Sequence, residues 1–151
     1  MSVVGVVVGS DKITLVEGKP NKDGIITLIK DEVFNLEAGD RHHAYSVMHR
    51  RIIDRLSSDV SKIVLKASSA SKFTGNQASL HAAELRGVFL SAIPNGLEVL
   101  QLHKKSVSQN YGSRKLEEYT KDDIWWEKNF DGKCRKGSRE AAFLIIAGQE
   151  D

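Results

Sequence analysis

A single cysteine, Cys134, and only two prolines stand in this sequence of 151 residues. One thiol forms no internal disulfide and builds no Cys-rich zinc site. A reducing, cytoplasmic setting is therefore expected. No apolar stretch approaches the roughly 20 residues that a membrane-spanning helix needs. The opening Met1-Ser2-Val3-Val4-Gly5 lacks the positive start and cleavage site of a secretion signal. Charge of one sign is scarce too. Twenty-two basic residues face 20 acidic ones, and a net of +2 implies no polyanionic partner by itself. With 40% hydrophobic and 28% charged residues the composition is that of a globular chain, which excludes disorder. The length suits one domain over 1–151.

Two glycine motifs are missing as well. Residues 68–75 contain Gly75 alone and form no phosphate-binding loop. Gly5-Val6-Val7-Val8-Gly9 runs into a second strand rather than a helix, so it is no dinucleotide fingerprint.

What is present reads as alternating sheet and helix. Residues 2–10 are rich in valine and form a buried strand. Residues 12–17 alternate as a second strand, the cluster Gly18 to Gly24 turns the chain, and residues 25–30 make a third. From Asp40, a candidate N-cap, Ala44, Val47, Met48, Ile52, Ile53 and Leu56 recur at helical spacing. The other face of that helix carries His49, Arg50, Arg51 and Arg55. Lys62 to Lys66 is a short buried strand. A Ser-rich loop, 68–75, leads to Asn76, a second cap, and to a long helix with Leu80, Ala83, Leu85, Val88, Phe89 and Ala92, stopped at Pro94-Asn95-Gly96. Leu97 to Leu102 is a fifth strand, 103–112 reads as loop, and 113–131 as charged and helical in part. Ser138 is placed to cap a last helix from Arg139 to Gly148, apolar almost all round and so covered on most sides. The order βββαβαβα predicts an α/β fold with a five-stranded mixed sheet and helices on both faces.

The charge is uneven. Residues 104–139 carry ten basic and six acidic side chains, leaving the rest of the chain at −2. The densest part is Lys133-Cys134-Arg135-Lys136-Gly137-Ser138-Arg139, bordered by Trp125, Trp126 and Phe130. Such a loop suits phosphates and stacked bases. The alternative is a solubilising loop beside two partly buried indoles. His42, His43 and His49 cluster near the first helix, with His81 and His103 far off. A zinc site needs three or four converging ligands, so these read as surface groups or caps. Cys134 lacks a local histidine base and reads as an inert thiol, unless its basic neighbours lower its pKa.

Several pieces together resemble the RuvC-type Holliday-junction resolvases, a branch of the ribonuclease H-like fold. Val4-Gly5-Val6-Val7-Val8-Gly9-Ser10 is similar to that family's first strand, Leu-Gly-Ile-Asp-Pro-Gly-Ser. Ile63-Val64-Leu65-Lys66-Ala67 sits where the family has Val-Ala-Ile-Glu. Asn76, followed by Leu80 to Val88, resembles its Asn loop and Leu-Gly-Gln-Ala-Arg-Gly helix. Lys104-Lys105-Ser106-Val107 with Tyr111-Gly112 and Lys115 resembles the stretch after its fifth strand. Glu140-Ala141-Ala142-Phe143-Leu144 falls where its last helix opens with Asp-Ala-Ala-Asp-Ala.

The resemblance implies a nuclease with two Mg²⁺ ions about 4 Å apart, held by carboxylates. Carried over, the four ligand positions fall on Val7, Lys66, Glu140 and Phe143, and only Glu140 is a carboxylate. A lysine ammonium repels a divalent cation. The expectation is a chain with no metal, no cofactor and no cleavage, whose Lys66 either forms an ion pair with Glu140 or snorkels to solvent at the strand end. A displaced site on Asp11, Glu17, Asp31 and Glu140, serving a metal-dependent endonuclease, is the alternative. As a binding protein for branched or duplex nucleic acid, its contacts would be Lys72 and Asn76, then Lys104, Lys105, Arg114 and Lys115, then Arg135, Lys136 and Arg139. The resemblance also implies a homodimer through the second long helix at Leu85, Val88 and Phe89, a face that could equally receive another protein.

Overall fold

The structure, a computed structural model, describes residues 1–57, 59–68, 76–112 and 114–149. Three antiparallel strands come first: β1 (Ser2–Val8), β2 (Lys12–Pro20) and β3 (Ile26–Asn35). Helix α1 (Arg41–Leu56) leads to β4 (Val60–Lys66), which pairs parallel with β1. Helix α2 (Gln77–Ser91) leads to β5 (Glu98–Leu102), parallel with β4. Three short helices follow, α3 (Lys104–Tyr111), α4 (Leu116–Thr120) and α5 (Asp123–Asn129). The two-residue strand β6 (Phe130–Asp131) then pairs parallel with β3, and α6 (Arg139–Ala147) closes the described chain. The sheet order is β5-β4-β1-β2-β3-β6. The mixed sheet with helices on both faces is as the sequence predicts, with six strands rather than five. A strand as short as β6, next to a turn, leaves no alternating pattern to read.

Alternation along the strands sorts the core into two layers. Val4, Val6, Ile13, Leu15, Ile63 and Leu65 point to one face, where Met48, Ile52 and Leu56 of α1 and Leu85 and Phe89 of α2 cover them. Val16, Val64 and Ile26 point to the other, against α6. Every residue from Ala141 to Ala147 is buried, as an all-round apolar helix requires. The approach of α6 is closest at Gly5, where a Cβ would overlap the Ala141 carbonyl oxygen. Only glycine at this point of β1 lets the helix lie on the sheet.

The boundaries differ in instructive places. Strand β3 continues through Asp31 and Glu32, because arginines from other elements satisfy both acids. Residues 104–111 are helical rather than loop, with Val107 buried under α6. Asn76 caps α2 by accepting from the Ser79 amide at 2.8 Å. Asp40 and Ser138 hold the N-cap positions of α1 and α6, yet neither side chain caps its helix. Among the described residues no helix is long and apolar enough to cross a membrane.

Candidate functional site

Strands β1, β4 and β5 run parallel, and the chain leaves β1 toward β2 on one side while β4 and β5 lie on the other. The carboxyl ends of parallel strands at such a reversal are where open α/β sheets bind ligands. All four positions singled out from the resemblance lie there. Lys66 ends β4 on the same face as Val64, since side chains repeat every second residue. Val7 of the neighbouring β1 packs into the same layer. Glu140 and Phe143 stand three residues apart on α6, on one side of that helix.

The Lys66 ammonium donates to the Glu140 carboxylate, forming the ion pair, one of the two arrangements expected from the sequence. The side chains are 27% and 33% exposed, so the pair sits at the mouth of a cleft. Phe143 is fully buried. It stacks on Tyr119 with ring centres 4.9 Å apart and meets Tyr111 and Trp125 at 5.3 and 5.5 Å. These rings tie α3, α4 and α5 over the end of the sheet. A divalent ion would find one carboxylate here, already held by an ammonium, beside a valine and an aromatic cluster. That set does not fit a hard cation wanting several oxygens.

The displaced carboxylates do not gather either. Glu17 accepts from Arg55 at 2.9 Å, and Arg55 also holds Glu32 at 2.6 Å, pinning α1 to β2 and β3. Asp31 receives two bonds from the Arg135 side chain, one from its amide and one from the Ser138 hydroxyl. Burial pushes the Asp31 carboxyl up, but these bonds outweigh it and hold it below the usual range. Asp11 lies exposed in the turn between β1 and β2. Among the described residues no three His, Cys, Asp or Glu side chains converge as a metal site.

The basic candidates divide into two kinds. Arg135 is spent on Asp31; Arg114 meets Asp122 at 3.1 Å; Lys104 is paired with Glu117. Arg139 meets Asp123 at 2.7 Å, donates to the Thr120 carbonyl at 2.9 Å and lies over the Trp126 ring. Arg135, Lys104 and Arg114 stay solvent-exposed while paired, and only Arg139 is largely buried; sequence alone could not separate these paired cations from those without an ion pair among the described residues. Lys105, Lys115 and Lys136 are exposed. Lys72 lies outside the described residues, and Asn76 serves as a helix cap.

Two further expectations change, and the proviso on Cys134 falls away. Trp126 and Phe130 are each 4% exposed and belong to the core, so they offer no face to a stacked base. Leu85 and Phe89 are wholly buried under α1 and the sheet and cannot form a dimer face with Val88. Outward, α2 instead shows Leu80, Ala83, Glu84 and Gly87. Cys134 is not activated by its basic neighbours: burial above all pushes its thiol up to about 12.

A cleft of about 320 Å³ joins the Lys66–Glu140 pair to the Lys104–Glu117 pair, with Lys136, Thr120 and Leu116 completing its walls. The Lys104 hydrogen bond holds the Glu117 carboxyl below its ordinary range, and Glu117 in turn raises Lys104.

The strand order β5-β4-β1-β2-β3-β6, with helices on both faces, is that of a ribonuclease H-like fold. Thermus thermophilus RuvC superposes with a TM-score of 0.72 at 18% identity, over 97% of this chain and 91% of that one. The same protein bound to a Holliday junction gives 0.71 at 14%, over 97% and 92%. The yeast mitochondrial Holliday junction resolvase gives 0.62 at 13%, over 96% and 78%. No family model matches the sequence, and no curated protein matches it. At these identities the likeness is one of fold.

Proposed function

We propose that this chain is a RuvC-like protein without a working metal centre, which holds branched or duplex nucleic acid on a basic surface and does not cut it. One observation carries the reading: the Lys66 ammonium sits on Glu140 at the strand end where the resemblance places divalent ions. Val7 and Phe143 reinforce it, because neither has a ligand atom and Phe143 anchors packed rings. The resolvase with a TM-score of 0.71 was captured on a Holliday junction, so a four-way junction is the first nucleic acid to try. Phosphate contacts from Lys105, Lys115 and Lys136 would make binding salt-sensitive and specific for shape rather than sequence.

The test mixes the protein with a synthetic four-way DNA junction, with EDTA and then with Mg²⁺ or Mn²⁺. Binding in EDTA that weakens steeply with salt, without product in either metal, is the expected result. Metal-dependent strand cutting that Glu140→Ala abolishes overturns the reading.

A dimer remains part of the proposal, through the outward face of α2. Leu80 is 57% exposed there, and at Gly87 a Cβ would meet nothing within 4 Å, so a second helix can approach closely. Light scattering reading one chain's mass at micromolar concentration would remove it.

A further inference from the structure

We infer that the cleft between β4, α3, α4 and the turn before α6 is a metal-free phosphate site, in which lysine ammoniums do the charge work of bound cations. The inference rests on the nucleic-acid reading and names the point where a backbone phosphate is gripped. Lys66 comes from the end of β4, Lys104 from the start of α3 and Lys136 from the turn ahead of α6. Three basic residues thus line one space from three separate elements, with the Lys66 and Lys104 ammoniums fixed on its two carboxylates. Glu117 and Glu140 also line it, which leaves the cleft at +1.

The arrangement positions the lysines and moderates their charge. Three ammoniums with no acids would repel one another and splay into water. Glu140 and Glu117 each hold one lysine at the wall. Lys136 is exposed and makes no salt bridge among the described residues, although its charge also acts on Asp123, so its flexible side chain can swing over an arriving anion. Ammonium groups bind phosphate as point charges and need no fixed fork geometry. A concave wall of net positive charge concentrates anions more strongly than the same charges on a flat surface. At about 320 Å³ the cleft is large enough to admit a phosphate with its sugar.

Two charge changes of opposite sign test this, with one control. Lys136→Ala removes the exposed cation, and Glu117→Gln removes the carboxylate that Lys104 pairs with and raises the cleft to +2. Asp54→Asn makes the same charge change as Glu117→Gln on α1, across the sheet. Each protein is titrated with a four-way DNA junction in EDTA over a range of salt. Separately, inorganic phosphate is added while the amide NMR signals of Thr120, Gly137 and Glu140 are followed.

The expected result is weaker junction binding by Lys136→Ala, with the salt slope shallower by about 1. Glu117→Gln should bind severalfold more tightly than wild type, Asp54→Asn should match wild type, and phosphate should shift the cleft amides. If the junction binds but both cleft variants behave as wild type, the cleft is not the phosphate site and the nucleic-acid reading survives. If no junction binds while phosphate still shifts the amides, the site stands for a small phosphorylated compound and the nucleic-acid reading falls. Neither signal overturns both.

Discussion

Lys66 and Glu140 join the last residue of β4 to the first turn of α6 through an ion pair at the mouth of the cleft. A partly exposed pair contributes modestly, because solvent already screens both charges. A double-mutant cycle of Lys66→Met and Glu140→Gln in urea should give a coupling of about 1 kcal/mol, falling in high salt. A coupling indistinguishable from zero at low salt would show that the two side chains merely lie close.

If the ammonium stands in for a cation, restoring oxygen ligands should restore a cation. The double change Val7→Asp with Lys66→Glu would place three carboxylates, with Glu140, around one point. Unpaired, they repel and destabilise the fold; with Mn²⁺ they are neutralised. The variant should therefore gain thermal stability on adding millimolar Mn²⁺, while wild type shows no shift. Equal shifts in both proteins would mean that wild type already binds the ion.

Phe143 gives the clearest packing prediction. It is fully buried and touches Tyr111, Tyr119 and Trp125, each from a different short helix. Phe143→Ala should cost about 3–5 kcal/mol, the usual range for emptying a buried aromatic site. For a chain of this length that lowers the melting temperature by roughly 6–20 °C. Calorimetry reads it directly, and the amide signals of α3 to α5 should broaden first. A loss under 1 kcal/mol would mean that those helices do not depend on α6.

The two-layer fold was legible because burial imposes period 2 on the strands and helical spacing on α1 and α2. Gly5 was legible in position but not in reason, since the nearness of α6 is a long-range fact. The identity of the four degenerate positions came from a resemblance, and the charges of Lys66 and Glu140 made the ion pair one of two readings. What sequence could not supply was the fate of the basic residues. Arg135 and Arg139 look alike in a cationic loop, and only tertiary structure shows that Asp31 and Asp123 engage them. The dimer face failed for a related reason. Leu85 and Phe89 share a helix with the outward residues, and their burial depends on where α1 lies.

Asp31 ties β3 to the turn before α6 through Arg135 and Ser138, and its folded-state pKa is depressed. A carboxyl with a depressed folded pKa stabilises the protein above its unfolded pKa, near 3.9, and loses that contribution as pH falls through the folded value. Asp31→Asn should thus destabilise the protein at pH 7 by about 2 kcal/mol, the scale of hydrogen bonds to a charged group. The gap from wild type should narrow below about pH 4 as the native carboxyl takes its proton. Urea titrations from pH 2 to 7 would measure this. A gap constant across that range would show that Asp31 acts only through its shape.

The division among the cations yields the sharpest separation of stability from binding. Arg139 serves Asp123, the Thr120 carbonyl and the Trp126 ring, all within the fold. Lys105 is exposed on α3. Arg139→Ala should lower stability by about 1–3 kcal/mol, because it strips partners from a carbonyl and a carboxylate. It should change junction binding little once the protein is kept folded. Lys105→Ala together with Lys115→Ala should leave the melting temperature unchanged and reduce the salt slope of junction binding by about 2. The reverse pattern would mean that Arg139 leaves its internal partners for DNA. In that case the fold must loosen at α5 when nucleic acid binds, and Asp123→Asn, which releases Arg139, would raise affinity rather than leave it unchanged.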